Sequence, residues 1–320
     1  MGSEGIRCPK RHCPDPSAGW SFVKTHEGYM SEYVCHACGK HFLYSTWLRK
    51  NYYPSPLKYF FYIDKFAREA AKTLVASLEG AKGLRSVSKA QYADIIIVLG
   101  GDGTMLRAAH KHATLGKPLL GFYFHPSKGF LSNADSEFSL NIIKHERYEI
   151  FQAPLLEVKM KTTSGKMRTG IALNELSIKG AASTQTVSLE VSVDGELLLD
   201  RLMADGLIVS TPLGSTGYAV PAGGSAILPS LHAFEIVPNN SSKPKHRTSQ
   251  IVSDSSIVKV RVLDLPRRKV VVACDNDVYE NVCEIEIRRA GMPIQLAFIK
   301  PDDMTWDQFF LARSKEKIYD

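Results

Sequence analysis

The chain is predicted to fold as a Rossmann-like α/β domain followed by an all-β, sandwich-like domain, with a small zinc-ribbon-like module in front. Three observations carry that reading. Residues 95–99 and 118–124 are continuous apolar runs on either side of a helical segment, the form of strands buried on both faces of a parallel sheet. From about residue 148 the pattern changes to short alternating segments with no helical period between them. Four cysteines, Cys8, Cys13, Cys35 and Cys38, crowd the N-terminal end. The division that follows is residues 1–45 for the module, 46–140 for the α/β domain and 141–301 for the β-rich domain, with a helix at 302–320 that can pack back on the α/β domain.

In the module, Cys8-Pro-Lys-Arg-His-Cys13 and Cys35-His-Ala-Cys38 make two knuckles separated by a stretch typical of a zinc ribbon, where four thiolates close a tetrahedral site. The first knuckle has four residues between its cysteines instead of two, so His12 could replace Cys13 as a ligand. Paired knuckles fit a structural Zn2+ in a reducing compartment better than a disulfide framework or free buried cysteines.

An aromatic-rich stretch, 51–62, leads out of the module. Phe66, Ala70, Leu74 and Leu78 then recur at intervals of four, which predicts a helix with one apolar stripe. The strand 95–99 ends at Gly100-Gly101, a helix is predicted over 104–114, and 118–124 is a second buried strand, so this half has a βαβ rhythm. In the second half the predicted strands are 155–160, 173–178, 187–193, 206–210, 257–263, 269–273 and 282–287. Residues 238–250 are polar and predict a mobile loop. The tail resumes helical spacing, with Trp306, Phe309 and Phe310 behind an N-cap at Asp303 or Thr305.

A chain of 320 residues suits two domains plus an appendage, at ~150 residues per domain. Its apolar runs fall far short of the roughly 20 residues needed to cross a bilayer. Met-Gly-Ser-Glu-Gly-Ile at the start has no apolar signal core and carries Ile6 where a myristoylation signal needs Ser or Thr. A soluble, cytoplasmic protein without a membrane partner is expected. The net charge of +7 favours an anionic partner; scattered Lys and Arg fit solvated surface charge better than a nucleic-acid patch.

Two motifs carry chemistry. The first, Leu99-Gly100-Gly101-Asp102-Gly103-Thr104, lies where a buried strand meets a helix. Glycines there let a backbone approach a phosphate, and the helix offers unpaired N–H groups and its positive end. Asp102 would repel phosphate, so a carboxylate in that turn makes sense as a base for a weak hydroxyl nucleophile or as a magnesium ligand; a plain tight turn is the alternative. The second motif runs from Asp205-Gly206 through Ser210-Thr211-Pro212-Leu213-Gly214-Ser215-Thr216-Gly217-Tyr218 to Ala222-Gly223-Gly224-Ser225. Its strand feeds a small-residue, hydroxyl-rich loop able to wrap a dinucleotide.

In three ordered blocks, Gly-Gly-Asp-Gly-Thr at 100–104, Asn174-Glu175, and the Asp-Gly…Ser-Thr-Pro-x-Gly-Ser-Thr-x-Tyr…Ala-Gly-Gly block at 205–224, the chain resembles the NAD kinase family over roughly residues 90–310. The resemblance implies transfer of the γ-phosphoryl group of ATP, with Mg2+, to the 2′-hydroxyl of the adenosine ribose of NAD. It implies Asp102 as general base, with Gly100, Gly101, Gly103 and Thr104 forming the turn beside which the nucleotide passes. Phe130 is implied near the adenine, Asn174 and Glu175 on the adenine and ribose side, Asp205 at the nicotinamide half, and Thr216, Gly217, Tyr218, Ala219, Val220 and Pro221 along the adenosine pocket. It also implies a homo-oligomer. The stretch from Gly121 to Leu131 departs from the family: it is one residue longer and lacks an Asn ahead of Gly129-Phe130-Leu131. In the late Asp-Gly motif Asp275 is followed by Asn276, a residue that tolerates a left-handed turn. Lipid kinases of the diacylglycerol and sphingosine type share the Gly-Gly-Asp-Gly-Thr turn but lack the long second block. A catalytically impaired nucleotide sensor with a zinc-ribbon interaction module is the other alternative.

Overall fold

The computed structural model describes residues 56–319 except 80, 82, 125–128, 133, 136–142, 144–147, 183, 246–247 and 266, together with the backbone of three N-terminal strands. These strands, Trp20–His26, Met30–Cys35 and His41–Tyr44, form an antiparallel sheet in chain order. Cys8, Cys13 and Cys38 lie outside the described residues, as do His12 and the side chain of Cys35.

The α/β sheet runs in the order Leu84–Ser86, Leu57–Ile63, Ile95–Leu99, Leu119–Tyr123, Ile294–Phe298, Glu149–Ala153, with the short Ala134–Asp135 also on Leu119–Tyr123. Pairing is parallel except for Glu149–Ala153. All five residues of Ile95–Leu99 are buried, as a strand covered on both faces requires. Glu149–Ala153 and Ile294–Phe298 differ from the sequence-based division at 140/141, because they complete the α/β sheet. Ile294–Phe298 buries Ile294, Leu296 and Phe298 in the core on one face and Ala297 in the core on the other, cover that it gains by sitting inside this sheet.

Helix α1, Arg68–Glu79, buries Ala71, Leu74 and Leu78. Phe66 precedes it and is 86% exposed, and Ala70 faces solvent. A strict four-residue spacing drifts about 40° around the helix at each step, so the seam follows mixed steps of three and four instead. Helix α2, Asp102–His112, starts two residues before the predicted helix, and a further turn, Ala113–Leu115, ends at Gly116 in a left-handed conformation, φ 58°. Helix α3, Trp306–Tyr319, has Thr305 as its cap: Gln308 N–H donates to Thr305 Oγ1 at 3.2 Å and Thr305 N–H to Gln308 Oε1 at 2.9 Å, a capping box. Trp306, Phe309 and Phe310 pack with Phe151 and Phe298, placing α3 against the α/β sheet.

The second domain is a sandwich of two six-stranded antiparallel sheets. One has the order Met167–Ala172, Leu156–Thr162, Val282–Arg289, Val258–Val262, Val187–Val193, Glu196–Ala204. The other has the order Gln250–Ser253, Ala233–Asn239, Gly206–Ser210, Glu175–Gly180, Val270–Cys274, Asp277–Glu280. Their inward residues, among them Leu176, Leu189, Val209, Val260 and Ile285, form one core. The predicted loop at 238–250 begins inside the strand Ala233–Asn239, and Ser242 and Lys243 donate backbone N–H groups to the Met203 carbonyl at 2.8 and 3.2 Å, so this part is pinned to the sandwich.

Candidate active site

Asp102 opens α2, directly after the parallel strand Ile95–Leu99 and the Gly100-Gly101 turn. Gly100 has φ 150°, and a Cβ there would stand 2.5 Å from Thr104 Oγ1, so the turn needs glycine. Gly101 caps the helix through its carbonyl, which accepts from Thr104 and Met105 N–H at 2.9 and 3.1 Å. The Asp102 carboxylate turns to the Gly129–Ser132 turn: Oδ2 accepts from Phe130 N–H at 2.8 Å, and Oδ1 from Leu131 and Ser132 N–H at 2.8 and 3.2 Å. Arg313 of α3 holds the same turn from outside, donating to the Gly129 and Phe130 carbonyls. Residues 125–128, within the departing stretch from Gly121 to Leu131, lie outside the described residues.

A second carboxylate repeats this arrangement on the sandwich. Asp275, in the hairpin between Val270–Cys274 and Asp277–Glu280, accepts from Leu173 N–H (Oδ2, 2.7 Å) and from Asn174 and Glu175 N–H (Oδ1, 2.9 and 3.1 Å). The left-handed residue of this hairpin is Asp275 itself, φ 49°, and not Asn276 as the sequence implied. Turning Asp275 left-handed aims its carboxylate back at the start of Glu175–Gly180.

The long second motif wraps around that start. Thr211 N–H donates to the Asn174 carbonyl at 2.9 Å, and Thr211 Oγ1 donates to the Leu173 carbonyl at 2.6 Å while accepting from Gly214 N–H at 3.2 Å. A Cβ on Gly214 would fall on the Asn174 carbonyl, so the loop approaches at glycine distance. A Glu175 carboxylate oxygen lies 3.6 Å from where a Gly217 Cβ would stand. Beyond Gly217 the chain doubles back over the sheet: Tyr218 and Ala219 pack on Ile208 and Val237. Asn239 donates to the Tyr218 hydroxyl at 3.2 Å, and the Lys179 ammonium stands 4.4 Å from the Tyr218 ring. Val220 is half-buried and Pro221 exposed.

Phe130 and Thr216 line one recess of about 180 Å³ between the domains, closed by Pro212, Leu213 and Phe310. The buried Thr216 Oγ1 and Asn174 Oδ1 have no hydrogen-bond partner among the described residues. Asp102, Phe130, Asn174, Glu175, Thr216 and Gly217 thus gather around the domain seam. Asp205 does not: it is exposed at the far end of the strand Gly206–Ser210, bonded to Asn240 at 2.8 Å, roughly 20 Å along the strand from Thr211. Tyr218, directed to Asn239 beside that end, spans the gap.

Sequence reasoning assigned no role to Asp64, Arg107, His110, Asp275 or Arg313. Asp64 accepts from Thr104 Oγ1 at 2.8 Å and from Arg107. The Phe66 backbone hydrogen bond, helped by Thr104 and Arg107 and opposed by burial, holds the Asp64 carboxyl below its usual range. Arg107 Nη1 lies 3.7 Å from where a Cβ on Gly103 would stand, so a guanidinium overlooks the turn. The signal available in sequence was the position of Arg107, one helical turn after Gly103.

A carboxylate on the first turn of a helix at the C-terminal edge of a parallel sheet, facing a donor-rich loop of an antiparallel sandwich, defines a two-domain nucleotide phosphotransferase. Family models for the ATP-NAD kinase N-terminal and C-terminal domains match residues 62–145 and 173–288. The NAD kinase of Xylella fastidiosa is 31% identical over 224 residues, 68% of this chain and 85% of that protein. That of Methylococcus capsulatus is 33% identical over 232 residues, 71% and 78% of the two chains. Among solved structures, yeast NADH kinase complexed with NADH shares the fold with a TM-score of 0.70 at 18% identity, over 94% of each chain. The NAD kinase of Archaeoglobus fulgidus in complex with ATP does so with a TM-score of 0.62 at 23% identity, over 82% of this chain and 98% of that one.

The chain belongs to the NAD kinase family, and its activity is that of an NAD kinase. A lipid kinase is thereby set aside.

Proposed function

We propose that the chain transfers the γ-phosphoryl group of ATP to the 2′-hydroxyl of the adenosine ribose of NAD, with Asp102 as general base. The observation that carries this is the hydrogen bonding of Asp102. A carboxylate has about four acceptor positions; three backbone N–H groups fix its orientation, and a further position on Oδ2 is left for a ribose hydroxyl. As the hydroxyl oxygen bonds to the γ-phosphorus and the bond to the bridging oxygen of ADP breaks, the hydroxyl proton passes to Asp102. Gly100, Gly101, Gly103 and Thr104 keep the turn low enough for the donor phosphates, and Arg107 adds positive charge above it.

Among the described residues no three His, Cys, Asp or Glu side chains converge on a metal centre. Among the described residues at the turn, Asp64 is bonded to Thr104 and Arg107 and the remaining position of Asp102 faces the ribose hydroxyl. A Mg2+ there would be held chiefly by the donor phosphates and water, as is usual for triphosphate chemistry, and would supply charge neutralisation.

The dinucleotide would lie along the sandwich face. Its adenosine would lie against Phe130, Asn174, Glu175 and the stretch from Thr216 to Pro221, satisfying Asn174 Oδ1 and Thr216 Oγ1, and its nicotinamide half would lie toward Asp205. The separation of Asp205 from the seam suits a ligand with two nucleotide halves. Incubating the purified protein with ATP, Mg2+ and NAD tests this reading: NADP is expected, and its absence overturns the proposal and leaves the sensor alternative.

Tyr218→Ala is expected to raise KM for NAD more than it lowers kcat, since a wall of the pocket binds ground and transition states alike. Steady-state kinetics at varied NAD decide it; a pure kcat defect would place Tyr218 in the chemistry instead.

The N-terminal module, residues 1–45, is proposed to hold one structural Zn2+ through Cys8, Cys13, Cys35 and Cys38, with no open position for substrate. Elemental analysis should find about one zinc per chain, and Cys35→Ser with Cys38→Ser should lose it while most kinase activity remains. Zinc-free native protein removes the site. The protein is further proposed to act in the cytoplasm as a homo-oligomer on small nucleotides, without a nucleic-acid or membrane partner.

A further inference from the structure

Helix α2 does more than present Asp102. Two turns further along, His110 reaches across to the sandwich and stands between two carboxylates: Nε2 lies 2.8 Å from Asp275 Oδ2 and Nδ1 lies 2.8 Å from Asp277 Oδ2. The His110 side chain is 12% exposed, that of Asp275 is fully buried, and that of Asp277 is 60% exposed. A neutral imidazole has one N–H, so it can donate to only one of these carboxylates and turns a lone pair on the other. The imidazolium donates to both.

Asp275 is the carboxylate whose two oxygens fix the backbone of Leu173, Asn174 and Glu175. With His110 it receives four donors, which fills its acceptor positions. We propose that His110, as an imidazolium, is a positioning residue for the substrate side of the site: it holds Asp275, and Asp275 holds the backbone that presents Asn174 and Glu175. This rests on the NAD-binding reading above. One rigid helix then sets both halves of the site, Asp102 at its first residue and, through His110 about 12 Å further along and Asp275, the Asn174–Glu175 backbone.

The groups around His110 support the charged form. Burial pushes its pKa down, but the hydrogen bonds and charges of Asp275 and Asp277 together outweigh burial and hold it above the ordinary histidine value. Of the other groups facing it, Glu157 and Tyr279 line the same recess. Glu157 is paired with Arg288 at 3.0 Å. Tyr279 is raised, chiefly by burial, and stays neutral. Cys274, behind Asp275, is pushed up to about 12, first by burial, and stays a thiol. On α2 itself, Arg107 is bonded to Asp64, and Lys111 stands over the Tyr62 ring at 5.5 Å. Because the folded-state pKa lies above the unfolded one, the clamp is complete below the ordinary histidine pKa and is lost as pH rises through the folded value.

The consequence is a pH-dependent KM for NAD. Wild-type protein, His110→Gln and His110→Arg are compared from about pH 6 to about pH 9, a range that brackets a raised histidine pKa. In the wild type KM should rise about tenfold toward high pH, the ratio expected for loss of one charge-assisted hydrogen bond. His110→Gln should show the raised KM at low pH already and a flat profile. His110→Arg should keep a low, flat KM, since a recess of about 490 Å³ beside His110 has room for the longer side chain. A His110→Gln profile that follows the wild type overturns the proposal, as does His110→Arg behaving like His110→Gln. If the wild type makes no NADP, the kinase reading fails separately, and NAD binding measured by calorimetry over the same pH range reads the clamp directly.

Discussion

Asp102→Asn will lower kcat for NADP formation by roughly 100-fold or more, the loss expected of an essential base, while NAD binding weakens by no more than about tenfold, the equivalent of one hydrogen bond to a charged group. The amide cannot take the ribose proton. It can still accept from Leu131 and Ser132 through its oxygen, but its NH2 group then faces the Phe130 N–H, so the turn loses one of three bonds from Asp102. Arg313 continues to hold the turn by its carbonyls, which is why binding should survive. Single-turnover kinetics and calorimetry separate the two quantities. A mutant keeping more than about a tenth of wild-type kcat would show that the proton goes elsewhere.

Gly214→Ala should produce the largest loss of stability among single changes around the site, about 3 kcal/mol, at the upper end of the usual cost of overpacking. The added Cβ meets the Asn174 carbonyl, its carbon and its Cα, all of them backbone atoms. None can step aside cheaply, because the Asn174 carbonyl accepts from Thr211 N–H and the Asn174 N–H donates to Asp275. Urea unfolding of wild type and mutant measures the difference, and KM for NAD should rise with it as Asn174 moves. A mutant within about 0.5 kcal/mol of wild type, the scatter of ordinary surface changes, would mean that the strand end yields freely.

The elements most legible in the sequence were those whose pattern and environment agree. Ile95–Leu99 is apolar throughout and buried throughout, and Val187–Val193 keeps its predicted bounds. The strands that escaped notice have compositions that point elsewhere. Glu196–Ala204 has four Leu together with Glu, Arg, Met and Ala, all good helix formers, and becomes a strand by pairing with Val187–Val193. Its signal was local: Asp194 and Gly195, both at positive φ, make the two-residue hairpin that Asp-Gly favours. Leu57–Ile63 is an aromatic run with no clean alternation, and only its place between Leu84–Ser86 and Ile95–Leu99 in the parallel sheet defines it. Within the site, Asp102 announced itself because a carboxylate in a glycine turn between a buried strand and a helix needs a reason. His110 and Asp275 did not, since each looks ordinary in its own segment and they meet only through the packing of α2 on the sandwich.

The place of Ile294–Phe298 in the α/β sheet bears on how the protein is made. This strand sits between Leu119–Tyr123 and Glu149–Ala153, yet about 140 residues of sandwich separate it from the second of them. On the ribosome both neighbours emerge long before the strand that joins them. At ~5–20 residues per second the gap stays open for roughly 10–30 s, with two apolar strand edges unpaired. The sandwich needs its own late strand, Val282–Arg289, between Leu156–Thr162 and Val258–Val262, so it too completes only near the end of that interval, and the α/β sheet closes with the next strand. The hazard for this chain is therefore greatest on nascent polypeptides, where a chaperone that shields exposed strand edges would act.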